Sequence, residues 1–150
     1  MTLSFRRYRP DDRDACLALF DGNTPPFFDP LERTEFAAFL DEPQGAYFVL
    51  ADDGRVAGCG GYFAEAGDCA RFSWGMVDRT IHGKGLGRLL AEHRIAAIRA
   101  EQRFCKIRLG TTHMIAPFFE RFGFVRQAVE ADGFAPGMDK VVMELDLIGT

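Results

Sequence analysis

The chain has 150 residues, of which 47% are hydrophobic and fifteen are phenylalanine, enough for one folded domain around one core and too apolar for a disordered chain. Lys plus Arg number 18 against 22 for Asp plus Glu, and a net charge of −4 argues against general nucleic-acid affinity, which needs a clustered positive surface. No apolar run approaches the roughly 18 residues of a membrane span. The opening Met-Thr-Leu-Ser-Phe-Arg-Arg has no signal-peptide core, so the expectation is a cytoplasmic protein without membrane contact. Cys16, Cys59, Cys69 and Cys105 are widely spread, with no Cys-x-x-Cys pair and no His at ligand spacing, and read as free thiols without a metal site or disulfide.

In chain order, Leu3 to Tyr8 is an opening strand, and Pro10-Asp11-Asp12 stops it and caps a helix that ends near Gly22. Asp29-Pro30-Leu31-Glu32 reads as cap, proline at the first helical position and the Glu of a capping box. The helix after it carries Phe36, Phe39 and Leu40 on one face and stops before Pro43. Gly45 to Ala51 and Arg55 to Ala64 are strands joined by the hairpin signal Asp52-Asp53-Gly54, and Cys69 to Val77 is the third strand of this antiparallel set. The long helix that follows shows a stripe of Leu86, Leu89, Leu90, His93, Ala97 and Ala100, with Ile95 and Ile98 outside it as a second apolar contact that raises a homodimer. Phe104 to Thr111 is a strand, Pro117 to Phe122 a short helix, and Phe124 to Val129 and Val141 to Leu147 are closing strands separated by a long loop, Asp132 to Met138.

Between the third strand and the long helix lies Trp74 to Arg88, where glycines at 83, 85 and 87 lead straight into a helix start. A helix N-terminus presents backbone N–H groups without internal partners and the positive end of the macrodipole, so anions bind there. Glycine removes the side chains that would keep a phosphate away, and Lys84 and Arg88 add positive charge. Two familiar phosphate loops fail on spacing: the sixth position counted from Gly83 is Arg88, not the last glycine of a dinucleotide fingerprint, and Gly85, not Ser or Thr, follows Lys84. The stretch reads as a pyrophosphate cradle.

His82-Gly83-Lys84-Gly85-Leu86-Gly87 resembles the acyl-CoA loop of the GCN5-related N-acetyltransferases, Gln/Arg-x-x-Gly-x-Gly/Ala, with His at the first position. Pro117-Phe118-Phe119-Glu120-Arg121-Phe122-Gly123-Phe124 resembles the family's Phe-Tyr-Glu-Lys-x-Gly-Phe segment, and the order of elements is similar from end to end. The resemblance implies an α+β fold, a single-domain three-layer α/β/α sandwich with a mixed, mostly antiparallel sheet. It also implies acetyl-CoA as co-substrate, with the pantetheine arm between the fourth and fifth strands along Gly75, Met76 and Val77, a bulge at Gly75, and the pyrophosphate on His82, Gly83, Lys84, Gly85, Leu86, Gly87 and Arg88. The backbone N–H of Met76 or Val77 would serve as oxyanion donor.

Two positions depart from the family pattern. Its pantetheine-binding Asn falls on Thr112, and the Tyr that often protonates the departing thiolate falls on Phe119, which has no proton to give. Tyr47, Tyr62 and His113 are substitute acids in type only, and no residue stands out as general base: Ile107 occupies the position where some relatives carry Glu, and Glu65 and Asp68 read as solvated turn charges. The expected activity is transfer of acetyl from acetyl-CoA to a primary amine, on a small molecule or peptide, by direct attack in a ternary complex. The alternative is an acyl-CoA-binding sensor of the same fold without turnover. Acceptor sites in this fold are built from the first helical pair and the last loop, here Asn23 to Pro30 and Asp132 to Met138, and the absence of an acidic cluster in either favours a small or partly apolar acceptor.

Overall fold

Period-two alternation along the second strand, β2 (Ala46–Asp52), decides the layering: Tyr47 and Val49 enter one apolar cluster, while Ala46 and Leu50 enter others on the opposite face. The computed structural model describes residues 2–81 and 84–148. With β1 (Leu3–Arg7), β3 (Arg55–Ala64), β4 (Cys69–Val77), β5 (Lys106–Thr112), β6 (Val125–Ala135) and β7 (Met138–Asp146), β2 forms one seven-stranded sheet in the order β1-β2-β3-β4-β5-β7-β6. Every neighbouring pair is antiparallel except β4 and β5.

Helices α1 (Arg13–Gly22) and α2 (Arg33–Asp41) cover the first face, burying Cys16, Phe20, Phe36 and Leu40 against Tyr47, Val49, Cys59 and Met76. Helices α3 (Leu86–Ala100) and α4 (Ala116–Glu120) cover the other, where Ile98 and Ala116 meet Ala70, Phe72, Ile107, Leu109 and Met143. This is the expected three-layer α+β sandwich. The capping box forms as read, Asp29 accepting from the Leu31 N–H and Glu32 from the Asp29 N–H, each at 2.9 Å. Asp12 is buried and accepts from the Arg9 N–H and from Arg6.

Four readings are corrected. The buried stripe of α3 is Leu86, Leu90, Ala91, Arg94 and Ile98, turned from the expected one because a buried arginine lies on it. Ile98, expected outside the buried stripe, is fully buried, and Ile95 packs, partly buried, against the same cluster. Most of the expected loop from Asp132 to Met138 is strand: β6 and β7 form a hairpin with irregular pairing between Glu130 and Ala135, tied where Asp132 accepts from the Gly137 N–H at 2.7 Å. Glu65, expected to be solvated, is half-buried and pairs with Arg108 at 3.2 Å and Arg71 at 3.4 Å.

Candidate functional site

The site is built by two strands that part. β4 and β5 pair only through Cys69–Arg71 and Lys106–Arg108. Beyond that point β5 continues along β7, and β4 along β3. Met76 stands opposite Cys59 and Ser73 opposite Gly61, so Trp74 and Gly75 both face Gly60, with Trp74 at a φ of 33°. An extra residue bends a strand and raises its twist, which carries the end of β4 away from β5.

The bulge is gripped from both faces. From the α1/α2 side, Tyr47, 3% exposed, donates its hydroxyl to the Trp74 carbonyl at 2.7 Å, while the Trp74 ring packs on Phe28 and Phe36. Burial pushes the Tyr47 pKa well up. From the α3 side comes Arg94, whose guanidinium lies 3.8 Å from the Phe72 ring centroid. A Cβ on Gly75 would stand 2.7 Å from its Nη2, so glycine is what lets the guanidinium approach. Sequence reasoning missed Arg94, because its partners Gly60, Phe72 and Gly75 come from other parts of the chain and a lone charged residue on a helix ordinarily faces water.

Past the last paired residues each strand carries a buried hydroxyl with no hydrogen-bond partner among the described residues, Ser73 on β4 and Thr112 on β5. Buried polar atoms are ordinarily satisfied, so two orphans flanking one gap mark a place where a polar ligand fits. Thr112 proves to be the last residue of β5, four residues short of α4. The Met76 side chain is buried against α1 and α2, and the Val77 carbonyl accepts from the Asn23 side chain at 3.0 Å.

α3 begins in the same region. Gly85, at a left-handed φ of 72°, is its N-cap; among the described residues no side chain caps it, the first turn holds no acidic residue, and the first intrahelical bond runs from the Leu89 N–H to the Gly85 carbonyl. The N–H groups of Leu86, Gly87 and Arg88 precede that bond. The Leu86 side chain is buried against Leu50 and Ala57, so that residue offers only its backbone, whereas Lys84, Gly85 and Arg88 are exposed. Next to Gly87 lies Phe118 of α4, 3.5 Å from where a Cβ would be. His82 and Gly83 lie outside the described residues.

The three substitute acids lie apart. Tyr47 is committed to the Trp74 carbonyl on the α1/α2 side, and the exposed His113 accepts at Nδ1 from the Asp139 N–H at 3.3 Å. Tyr62 donates to Glu101, near the C-terminal end of α3. Phe119 sits in an aromatic cluster with Phe72, Phe118 and Phe124 at centroid distances of 6.2, 5.1 and 5.6 Å. His93, beside Arg94, stacks on Phe5 at 4.0 Å, and burial lowers its pKa. Among the described residues no group of three His, Cys, Asp or Glu is placed to hold a metal, and no helix is long and apolar enough to cross a membrane.

A parted β4 and β5, a bulge beside the gap and an uncapped helix start beyond it form the frame of an acetyltransferase. The model of the acetyltransferase (GNAT) family matches residues 16–124, and the chain belongs to that family. Among solved structures it is similar to a GNAT-family protein from Desulfovibrio desulfuricans, at 23% identity over 97% of this chain and 99% of that one, with a TM-score of 0.82. It is likewise similar to the ribosomal-protein-S18-alanine N-acetyltransferase of Escherichia coli, at 18% identity over 97% and 94% with a TM-score of 0.82. A protein from Salmonella typhimurium solved with its cofactor acetyl-CoA matches at 18% identity over 100% and 96%, with a TM-score of 0.75. Identities this low carry the fold and no more. A search of curated proteins finds no match.

Proposed function

We propose that the chain is an acetyl-CoA-dependent N-acetyltransferase that moves an acetyl group to a primary amine by direct attack in a ternary complex. The observation that carries this reading is the gap between β4 and β5, flanked by the unpartnered hydroxyls of Ser73 and Thr112 and followed by the uncapped, acid-free start of α3. Amide groups of a pantetheine arm would satisfy the two hydroxyls, and the helix start with Lys84 and Arg88 would hold the pyrophosphate. The Salmonella neighbour, solved with acetyl-CoA, supports the same ligand here. The amine nitrogen attacks the thioester carbonyl carbon, and a backbone N–H at Met76 or Val77 stabilises the oxyanion. The C–S bond then breaks, with its electron pair leaving on sulfur.

Phe27, half-buried under the Arg79 guanidinium at 5.2 Å, lies in the α1–α2 connection and suits a small or partly apolar acceptor, with a peptide amine as the larger variant. The aromatic Phe119 favours a second reading, an acyl-CoA-binding domain without turnover.

Calorimetric titration with coenzyme A, followed by thiol release from acetyl-CoA across amino acids, amines and peptides, tests both. Gly85→Glu should abolish binding by setting a carboxylate among the helix-start N–H groups. Gly85→Ala, which carries the same left-handed backbone strain of about 1–2 kcal/mol, should keep binding. Equal affinity in the two folded variants would reject the cradle; tight binding without release for any acceptor would favour the second reading.

A further inference from the structure

Arg94 is 3% exposed, and none of the ion pairs among the described residues includes it. Its Nη1 reaches the Gly61 carbonyl at a long 3.4 Å, and its Nε has no acceptor. The titratable groups that face it are Tyr47 from β2 and Cys59 from β3, with His93 beside it on α3, and none of them is a carboxylate. Burial brings its pKa down to about 10, which leaves it a cation at neutral pH. A methionine would fill similar space with no charge to desolvate, so packing alone does not account for the guanidinium. The fold makes room for it at Gly75, where a Cβ would stand 2.7 Å from Nη2 and 3.0 Å from Nη1.

Phe72 links this cation to the position that lacks its acid. Arg94 stacks on Phe72, which borders Phe119 in turn. The guanidinium also lies against Gly75, on the part of β4 beyond its pairing with β5, and at 3% exposure its charge acts through buried protein, more strongly than across water.

We propose that Arg94 substitutes electrostatically for the missing proton donor at Phe119, holding the sulfur of departing coenzyme A as the thiolate. This rests on the acetyl-transfer reading. In the step, the amine lone pair forms the C–N bond, the C–S bond breaks with its pair going to sulfur, and the proton shed by the ammonium goes to water. Coenzyme A leaves as the anion, and the protein supplies no proton. Arg94 acts from beneath the bulge as a positioning charge.

The test uses coenzyme A itself, bound to the whole protein, with its thiol titrated by the ultraviolet absorbance of the thiolate. A free thiol titrates near 8.5. Bound to the parent protein it should ionise at least tenfold more readily than free coenzyme A, and Arg94→Met should remove that gain while leaving the affinity for desulfo-coenzyme A unchanged. Arg94→Gln makes the same comparison if Arg94→Met fails to fold. A bound thiol that titrates in the parent where free coenzyme A does overturns the proposal without any variant, and so does an equal shift in parent and folded neutral variant. No binding of coenzyme A by the parent overturns the acetyl-transfer reading together with this one, whereas binding with an unshifted thiol overturns this one alone.

Discussion

The side-chain amide of Asn23, just past the end of α1, donates to the carbonyl of Val77, the last residue of β4, at 3.0 Å, and to the Leu19 carbonyl at 2.7 Å. Asn23 is 6% exposed, so water scarcely competes for either bond. The contact fixes where β4 ends relative to α1, and so where the chain leaves for the helix start of α3. Asn23→Ala should lower stability by about 1–3 kcal/mol, the usual cost of stranding buried partners. Asn23→Asp, which sets an acceptor against two acceptors, should cost more at neutral pH and recover part of the loss in acid as it gains a proton. Urea unfolding reads both, and a neutral-pH stability equal to the parent's for Asn23→Asp would contradict the contact.

The approach of Arg94 to Gly75 can be measured by a double-mutant cycle. Gly75→Ala puts a methyl 2.7 Å from Nη2 and 3.0 Å from Nη1 of a guanidinium that is buried and stacked on Phe72, so it has little room to retreat. Overpacking of this kind costs about 1–3 kcal/mol. In an Arg94→Met background the more flexible side chain should yield and most of that penalty should vanish, giving a coupling of about 0.5–3 kcal/mol. Equal penalties in both backgrounds, by urea unfolding, would mean that the two residues do not meet.

What the sequence revealed and what it hid follow one division. Local chemistry was legible: Asp29 and Glu32 cap a helix in the residues beside them, and Gly85 stands directly before the start of α3. Features that depend on distant residues were not. Arg94 is admitted to the core by Gly60, Phe72 and Gly75, none of which neighbours it in the chain, and its burial turned the apolar stripe away from the expected one. The β6–β7 hairpin misled for a different reason, because Asp132-Gly133 and Pro136-Gly137 are both turn signals and only the second one turns. Asp132 holds a positive φ of 56° inside the strand, an irregularity that local pattern cannot tell from a loop.

The Asp12 carboxylate gives a pH dependence whose sign is fixed. It accepts from Nη1 and Nη2 of Arg6 and from the Arg9 N–H, all at 2.8 Å, and the Arg6 hydrogen bond above all holds its pKa below the usual value. A group more acidic in the folded than in the unfolded chain contributes stability above the unfolded value, about 3.9, which is lost as pH falls through the folded one. Asp12→Asn should therefore be less stable than the parent at neutral pH and should fall less steeply below about pH 4. Thermal melts across that range would show parallel acid limbs if Asp12 contributes nothing.

The aromatic ring at position 119 gives the last prediction, since Phe119 and Arg94 both contact Phe72. If the guanidinium already holds the departing thiolate, a new proton donor has little left to add, and Phe119→Tyr should leave kcat in the parent within about threefold, far below the ~10²–10⁴-fold typical of general acid help. Removing the cation should change that. Arg94→Met should lower kcat by roughly 10²-fold, comparable to losing one electrostatic contact to a developing anion, with little change in KM. Phe119→Tyr in the Arg94→Met background should then recover at least about tenfold, because the thiolate now needs the proton that Tyr offers. Turnover is read as thiol release with an acceptor from the amine screen. A Tyr that raises kcat by the same factor in both backgrounds would show that Arg94 and the hydroxyl act on different charges, and that the thiolate leaves the parent enzyme without the help assigned to Arg94.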